Sequence, residues 1–491
     1  MPATHRSRLL TALVRGLLLG AVPATTLSSC ATNPATGEQQ LSLISESQEI
    51  QMGQQAAQEV QQTIGFVDDE QLQAYVQRVG ESLARRTERP NLPWTFRVVD
   101  DPTPNAFALP GGYVFVTRGM MEYMRTEAEL ATVLGHEIGH VTARHSVNQI
   151  SKQEIAQLGL GIGSILSPSI ARLGQVAGVG LQLLFLKYSR DDERQADELG
   201  FRYALAGGYD VRQMLNVFTT LQRVGEASGQ SPLPSWLSTH PYPAERLQAT
   251  QQRLAALQQP LQNTTVNEAQ YLGQVNGMVF GDDPRSGYFR GAVFYHPGLR
   301  FRVEFPSSWA AQNLPQAVVA MSPQQDAAVQ LTLSPEQSVS SAAQTFLSQE
   351  GVTAGAPVTQ QINGLSAAVA PFQATTDQGN LRGLVAFVSY DGRVYQLLAY
   401  SVMAQYNQYD AVFRQVLSSF APLTDPRALA VTPNRVEVVR VAQSMTLSQF
   451  AQQYPSTVDA NTLAILNELP SATASVPAGT LLKRVVGGSA G

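Results

Sequence analysis

Residues 126–145 read Thr126-Glu127-Ala128-Glu129-Leu130-Ala131-Thr132-Val133-Leu134-Gly135-His136-Glu137-Ile138-Gly139-His140-Val141-Thr142-Ala143-Arg144-His145. Residues 128–134 carry a helical pattern that runs on to about residue 153, so the histidines are expected on a helix. Four residues advance about 400° on such a helix, and the imidazoles of His136 and His140 leave one face about 40° apart. Two imidazole nitrogens on one face can hold one Zn²⁺. Glu137 stands about 100° round, placed to reach a water beside the ion rather than the ion itself. His145 stands about 140° from His140 on the same wheel and is expected to be structural or at the surface.

A hydrolytic zinc site keeps three protein ligands and one open position. The best candidate for the third is Glu193, in the run Ser189-Arg190-Asp191-Asp192-Glu193-Arg194-Gln195-Ala196-Asp197. Four acids crowd this run, and composition alone does not choose among Asp191, Asp192, Glu193 and Asp197. Glu193 and Asp197 share a helical face, so that one can bind the metal while the other orients a ligand histidine.

The rest of the chain frames this constellation. At 491 residues it is long enough for two to four domains. Its 44% hydrophobic and 14% charged residues describe a folded globular protein. A net charge of −5 offers no basic surplus for nucleic acid, which is not expected as a partner. The single cysteine, Cys30, excludes an intrachain disulfide and a cysteine-based zinc site. Residues 1–29 have the layout of a secretory signal: Arg6 and Arg8, then an apolar stretch over 9–22 that Arg15 interrupts. The signal closes on Leu27-Ser28-Ser29-Cys30, which resembles a bacterial lipobox. The mature chain is therefore expected to begin at an acylated Cys30 and to be held to a membrane by that anchor. Ala31 in place of an aspartate favours the outer membrane, facing the periplasm.

Residues 31–42 read as a polar tether. Helical spacing covers 46–86 with a break at Gly65-Phe66, and residues 94–99 read as a strand. Residues 106–117 read as strand, Pro-Gly-Gly turn, strand. In 155–186 Arg172 is the only charge, and Pro168 cuts the stretch into pieces short of a membrane span, so two buried or interface-facing helices are expected. Helical patterns return at 190–206, 211–224 and 244–257. Beyond about residue 265 short β-rich runs (299–305, 318–321, 329–333, 383–389, 394–400) interleave with helices at 340–349 and 409–420, an α+β pattern. A linker at 422–435 leads to a small unit at 436–487 that alternates, turns helical twice and closes on a strand.

The motif set resembles metallopeptidase family 48, the gluzincins of the CAAX prenyl protease and HtpX, and most closely its BepA-type periplasmic lipoprotein members. The resemblance rests on His136-Glu137-Ile138-Gly139-His140 with Val141-Thr142-Ala143-Arg144-His145, and on Ser189-Arg190 followed by Glu193 and Ala196-Asp197. It extends to Asn33-Pro34-Ala35-Thr36-Gly37, to the run Asn105-Ala106-Phe107-Ala108-Leu109-Pro110-Gly111-Gly112, and to Thr239-His240-Pro241 with Arg246. It spans roughly residues 31–260. The resemblance implies a zinc endopeptidase with one Zn²⁺ per chain, ligands His136, His140 and Glu193, catalytic base Glu137 and supporting Asp197. It places His240 or Arg246 near the metal, either as a donor to the developing oxyanion, and allows His240 to cap the zinc. It implies that the 106–116 hairpin lays out an extended substrate along Asn105, Phe107, Gly111 and Gly112. The implied substrates are unfolded or misassembled envelope proteins. The alternative is a capped chaperone or assembly factor of the outer membrane.

Residues 291–425 resemble a PsbP-like domain, through the strand Gly298-Leu299-Arg300-Phe301-Arg302-Val303-Glu304-Phe305-Pro306 with Trp309 and a helix closing at Ser418-Ser419-Phe420. Residues 436–487 resemble a degenerate LysM module, with Ser444-Met445 where Gly-Asp is usual, so docking and peptidoglycan binding stand side by side for it. The expected architecture is α+β and multidomain: a signal (1–29), a mainly helical zincin-like peptidase domain with a small β-hairpin or sheet (30–265), an α+β domain (270–425) and a small LysM-like α/β module (436–487).

Overall fold

The computed structural model describes residues 30–160, 188–227, 236, 239–241, 243–349, 351–376 and 379–489. The expected signal and most of the apolar stretch 155–186 lie outside the described residues.

Residues 31–42 are not a loose tether. β1 (Cys30–Thr32) pairs antiparallel with β2 (Gln39–Leu41). Asn33 and Gly37 close the turn between them, with Gly37 N–H donating to Asn33 O (2.8 Å) and Gly37 at φ 77°, where glycine carries no Cβ penalty. Leu43 N–H donates to Ser151 Oγ (3.0 Å) and fastens the ribbon to the domain.

The first domain runs α1 (Glu46–Thr63), α2 (Glu70–Ala84), β3 (Thr95–Val99), β4 (Ala106–Leu109), β5 (Tyr113–Thr117), α3 (Arg118–Tyr123), α4 (Glu127–Thr142), α5 (His145–Leu160), α6 (Arg190–Ala206), α7 (Gln213–Ala227), α8 (Pro243–Ala255) and α9 (Glu268–Val275). Capping boxes start α1 at Ser45, α4 at Thr126 and α6 at Ser189, satisfying amide donors that a helix start leaves unpaired. The sheet order is β3-β5-β4, with β3 parallel and β4 antiparallel to β5. Every residue of α4 is buried, so this is the central helix around which α2, α6, α7 and the sheet pack.

The packing of α4 on α6 is unusually close because small residues line it. A Cβ built on Gly135 would meet Gly200 O at 2.9 Å, and one on Gly139 would meet Ala196 O at 3.0 Å. A Cβ on Gly200 would meet His136 N at 2.6 Å. This core extends past the change of character near residue 265, since Tyr271, Leu272, Val275 and Met278 belong to it.

The second domain carries β6 (Tyr288–Arg290), β7 (Val293–His296), β8 (Phe301–Glu304), β9 (Ala310–Leu314), β10 (Ala317–Met321), β11 (Ala327–Ser334), α10 (Val339–Leu347), β12 (Val352–Ala354), β13 (Val358–Ile362), β14 (Leu365–Thr376), β15 (Gly379–Tyr390), β16 (Arg393–Val402), α11 (Tyr406–Ser419) and β17 (Ala421–Pro422). Its large sheet runs β12-β14-β15-β16-β11-β10-β9, with β13 also on β14. One face packs α11 through Phe413, Val416 and Leu417, and the other packs α10 through Phe346. β12 to β14 had no counterpart among the expected runs. β14 is alanine-rich and holds Pro371, a residue that argues against an interior strand.

The third unit is β18 (Thr432–Arg440), β19 (Met445–Thr446), α12 (Leu447–Gln453), α13 (Ala460–Leu466), β20 (Ser475–Val476) and β21 (Leu481–Ser489), with β18 antiparallel to β21. It is seated on the first domain. The fully buried Lys483 donates Nζ to Glu122 O (2.6 Å) and Met124 O (2.8 Å), and Arg125 reaches Asn467 Oδ1 and Leu481 O, each at 2.8 Å. No helix among the described residues is long and apolar enough to cross a membrane.

Candidate active site

The close approach of α4 and α6 assembles the site. His136 and His140, one turn apart on α4, bring their Nε2 atoms to 3.0 Å. Glu193, in the first turn of α6, places Oε2 at 3.6 Å from His136 Nε2 and Oε1 at 3.6 Å from His140 Nε2. His240, from the segment before α8, stands with Nδ1 at 2.8 Å from Glu193 Oε1 and 3.2 Å from His136 Nε2. One donor atom from each of these four residues lies within 4.8 Å of the others. All four are at most 2% exposed. A cavity of about 270 Å³ borders the group, lined in part by Arg190, Glu193, Asp197, Pro241 and Arg246.

Burial and one arginine set the electrostatics. Burial alone would raise Asp197. The charge of Arg246 outweighs it, with Nε and Nη2 donating to the carboxylate at 2.8 and 2.6 Å and His136 Nδ1 at 2.9 Å, and holds Asp197 well below the usual carboxylate range. An ionised carboxylate only accepts, so His136 Nδ1 donates to it and the Nε2 lone pair faces the group. Burial pushes Glu193 up to about 7 against the opposing charge of Arg246, whose Nη1 lies 3.2 Å from Oε2. Burial likewise pushes Glu137 up to about 7, and neither of its oxygens has a hydrogen bond. Burial lowers His136, His140 and His240, the last to about 4, so the rings stand neutral with lone pairs to offer.

The residues fit a zinc ion. Two neutral imidazoles and a carboxylate converge, the bare Nε2 of His136 abuts another ring nitrogen, and Glu193 Oε2 has the Arg246 ion pair at 3.2 Å but no hydrogen bond. Such a cluster of lone pairs without protons to share is what a borderline-soft cation with N and O ligands neutralises.

His136, Glu137, His140, Glu193, Asp197, His240 and Arg246 thus meet in one place. Arg246 directs its guanidinium to Asp197 and Glu193 while stacking over Trp236 (4.5 Å) and Phe218 (4.7 Å). The hairpin residues behave differently. Asn105 precedes β4 and keeps Oδ1 buried without a hydrogen bond. Phe107 stacks on Phe115 at 5.0 Å in a small core beside α1. Gly111 and Gly112 are buried, Gly111 beneath α1, where its N–H donates to Glu49 Oε1 (3.2 Å), and Gly112 against Leu92 and Trp94; their contacts are not with the histidine–glutamate group.

His145 is not at the surface. It is 3% exposed, with Nδ1 at 2.9 Å from His140 Nδ1. Extrapolating the helix failed because α4 ends at Thr142 and Arg144 takes φ 60°, a left-handed turn that brings His145 back as the first residue of α5. Neither glycine nor asparagine marks that break. Tyr188 and Trp236 were also missed: the Tyr188 ring lies 3.9 Å from that of His140, and the Trp236 ring 5.3 Å from that of His240. Isolated aromatics carry no spacing signal that would single them out.

Comparison with known proteins agrees with this geometry. The chain is 27% identical over 250 residues to the beta-barrel assembly-enhancing protease of Escherichia coli (strain K12), covering 49% of this chain and 51% of that one. It is 32% identical to the mitochondrial metalloendopeptidase OMA1 of Arabidopsis thaliana, covering 36% and 34%. The chain spans about half the length or less of these curated relatives. Among solved structures, cyanobacterial PsbP (CyanoP) from Synechocystis sp. PCC 6803 aligns with 28% of this chain and 95% of its own, at 12% identity and a TM-score of 0.23. Residues 70–254 match the family described as Peptidase family M48, and the chain's own histidine–glutamate centre lies inside that span.

Proposed function

We propose that the chain is a zinc-dependent endopeptidase of the bacterial envelope. The carrying observation is the buried His136, His140, Glu193 and His240 group with the Glu137 carboxylate beside it, which makes no hydrogen bond and has Oε1 3.6 Å from His240 Nε2. His136, His140 and Glu193 would hold the ion. Zinc, when bound, supplies Lewis acidity towards the scissile carbonyl and towards water. Glu137, poised near neutrality by burial, takes a proton from the attacking water and returns it to the leaving amine. Asp197 and Arg246 hold the His136 ring in orientation, while His240 lies between the two glutamates, Nδ1 at 2.8 Å from Glu193 Oε1 and Nε2 at 3.6 Å from Glu137 Oε1. Asn105, with its unpartnered Oδ1 at the head of β4, is the hairpin residue best prepared to meet a substrate backbone. Phe107, Gly111 and Gly112 shape the hairpin from behind.

The similarity to an assembly-enhancing protease and to a metalloendopeptidase supports protein substrates, and we assign unfolded or misassembled envelope proteins. An acylated Cys30 at the outer membrane would hold the domain close to the bilayer, since β1 begins at that residue. The C-terminal unit spends Asn467, Leu481 and Lys483 on the first domain, which supports docking more than peptidoglycan binding. The near-complete burial of the centre favours a second reading, a capped assembly factor with little proteolysis. Zinc content and casein cleavage of the mature protein test the first reading. Glu137→Gln should retain zinc and lose about 10²–10⁴ in rate. If the variant complements a deletion strain as well as the wild type, the assembly reading replaces the protease reading.

A further inference from the structure

Three side chains link the N-terminal ribbon to His140. Asn33, in the turn after β1, is 5% exposed and accepts the Ala35 N–H on Oδ1 (2.9 Å). That bond fixes which end of its amide is nitrogen, and Nδ2 donates to Gln195 Oε1 at 3.1 Å. The same Gln195 oxygen lies 2.8 Å from His145 Nε2. His145 Nδ1 in turn lies 2.9 Å from His140 Nδ1.

Donor and acceptor accounting orders every proton along this row. A backbone N–H can only donate, so Asn33 Oδ1 accepts and Nδ2 donates. Gln195 must then present its oxygen, and His145 Nε2 must carry a hydrogen to meet it. Asp192 Oδ1, 3.7 Å from the same nitrogen, also favours a hydrogen there. A neutral ring with hydrogen on Nε2 has a bare Nδ1, which accepts from His140 Nδ1–H. His140 is left with its lone pair on Nε2, the atom that faces His136 and Glu193. His136 reaches the same state by a different route, through the carboxylate of Asp197.

We propose that Asn33, Gln195 and His145 are positioning residues for the metal centre: the turn at the head of the chain sets the His140 tautomer through two intermediaries. The inference rests on the zinc-site reading above. It gives the Asn33-Pro34-Ala35 turn a task in the centre that neither the helix pattern nor the ligand set supplies.

The test uses the full-length mature protein and zinc alone. Asn33→Asp keeps the acceptor for Ala35 N–H but replaces the donor by an oxygen, so the Gln195 amide must rotate and offer its nitrogen to His145. Gln195→Leu removes the acceptor, and Gln195→Glu keeps it. Zinc dissociation constants are measured by chelator competition, and the His145 tautomer by ¹⁵N chemical shifts of histidine-labelled protein. Asn33→Asp and Gln195→Leu are expected to weaken zinc about 10–100-fold, as loss of an outer partner of a ligand does. They should also move the His145 signal from the Nε2–H form, while Gln195→Glu keeps both readouts at wild type. Wild-type affinity and tautomer in the first two variants would overturn the relay, as would an Nδ1–H form of His145 in the wild type. Failure of the wild type to bind zinc would instead remove the metal reading, and the tautomer shifts would still decide the relay.

Discussion

Gly200→Ala asks whether the centre depends on the closeness of two helices. The added Cβ would stand 2.6 Å from His136 N, 2.8 Å from Gly135 C and 2.9 Å from His136 Cα, all backbone atoms that cannot rotate away. Ordinary contact begins at 3.4 Å, so α4 and α6 must part locally by about 0.8 Å. Overpacking of this kind costs about 1–3 kcal/mol, and alanine returns about 1 kcal/mol of helix propensity, leaving a net destabilisation of about 0–2 kcal/mol. The fold therefore survives, but Glu193 and Asp197 withdraw from the two histidines. A displacement near 1 Å at a reacting centre costs about 10²-fold in rate. Gly273→Ala is the control: it lies in α9 with nothing within 4 Å of its Cβ position, and it should be neutral or stabilising by up to about 1 kcal/mol. Casein hydrolysis, zinc affinity and thermal unfolding are compared across the three proteins. Wild-type hydrolysis and zinc binding in Gly200→Ala would refute the claim that this contact sets the ligand geometry.

Resting peptidase activity should be low, and His240→Ala should raise it by freeing the position its ring holds beside Glu193; a fall of about 10²-fold in casein hydrolysis, with zinc retained, would make His240 an oxyanion donor instead. In the second domain, burial lowers His296 to about 4, and its Nδ1 accepts the Leu299 N–H at 3.0 Å. Between about pH 6.5 and 4 the unfolded chain binds a proton that the folded chain does not, so stability falls with pH across that window by about 3 kcal/mol in all. His296→Asn, which keeps an acceptor near Nδ1, should flatten that slope in urea unfolding at pH 7 and 4.5; an unchanged slope would show that His296 does not cause it. Cys30→Ala should move the protein from the membrane fraction to the soluble one, and unchanged association would assign the attachment to another segment.

The histidine pair and its flanking glutamate were legible because helical periodicity is a local property. Residues four apart share a face whatever the rest of the chain does; α6 formed at 190–206, where spacing placed it, and the pattern expected to run on to about residue 153 formed α4 but broke after Thr142. The same locality made the α+β character of the second domain and the strand–helix–helix–strand order of the third readable. It failed at β14, where pairing with β15 along its whole length holds a segment whose own composition is weak for a strand.

Long-range geometry decided the remainder. Which acid of 191–197 faces the histidines depends on how α6 lies against α4, and that depends on Gly135, Gly139, Ala196 and Gly200 meeting across the contact. Single glycines in a helix read as weak points until the partner is known. For His145 the sequence left structural and surface roles open, and the buried one holds; its place beside His140 was hidden because one left-handed residue, Arg144, resets the helical phase, and only packing reveals such a residue when it is not glycine. Asn33 is 162 residues from Gln195 in sequence, so no window of the chain could join them. Periodicity fixes what shares a face; which faces meet, at what distance and with which protons between them, is a property of the folded core alone.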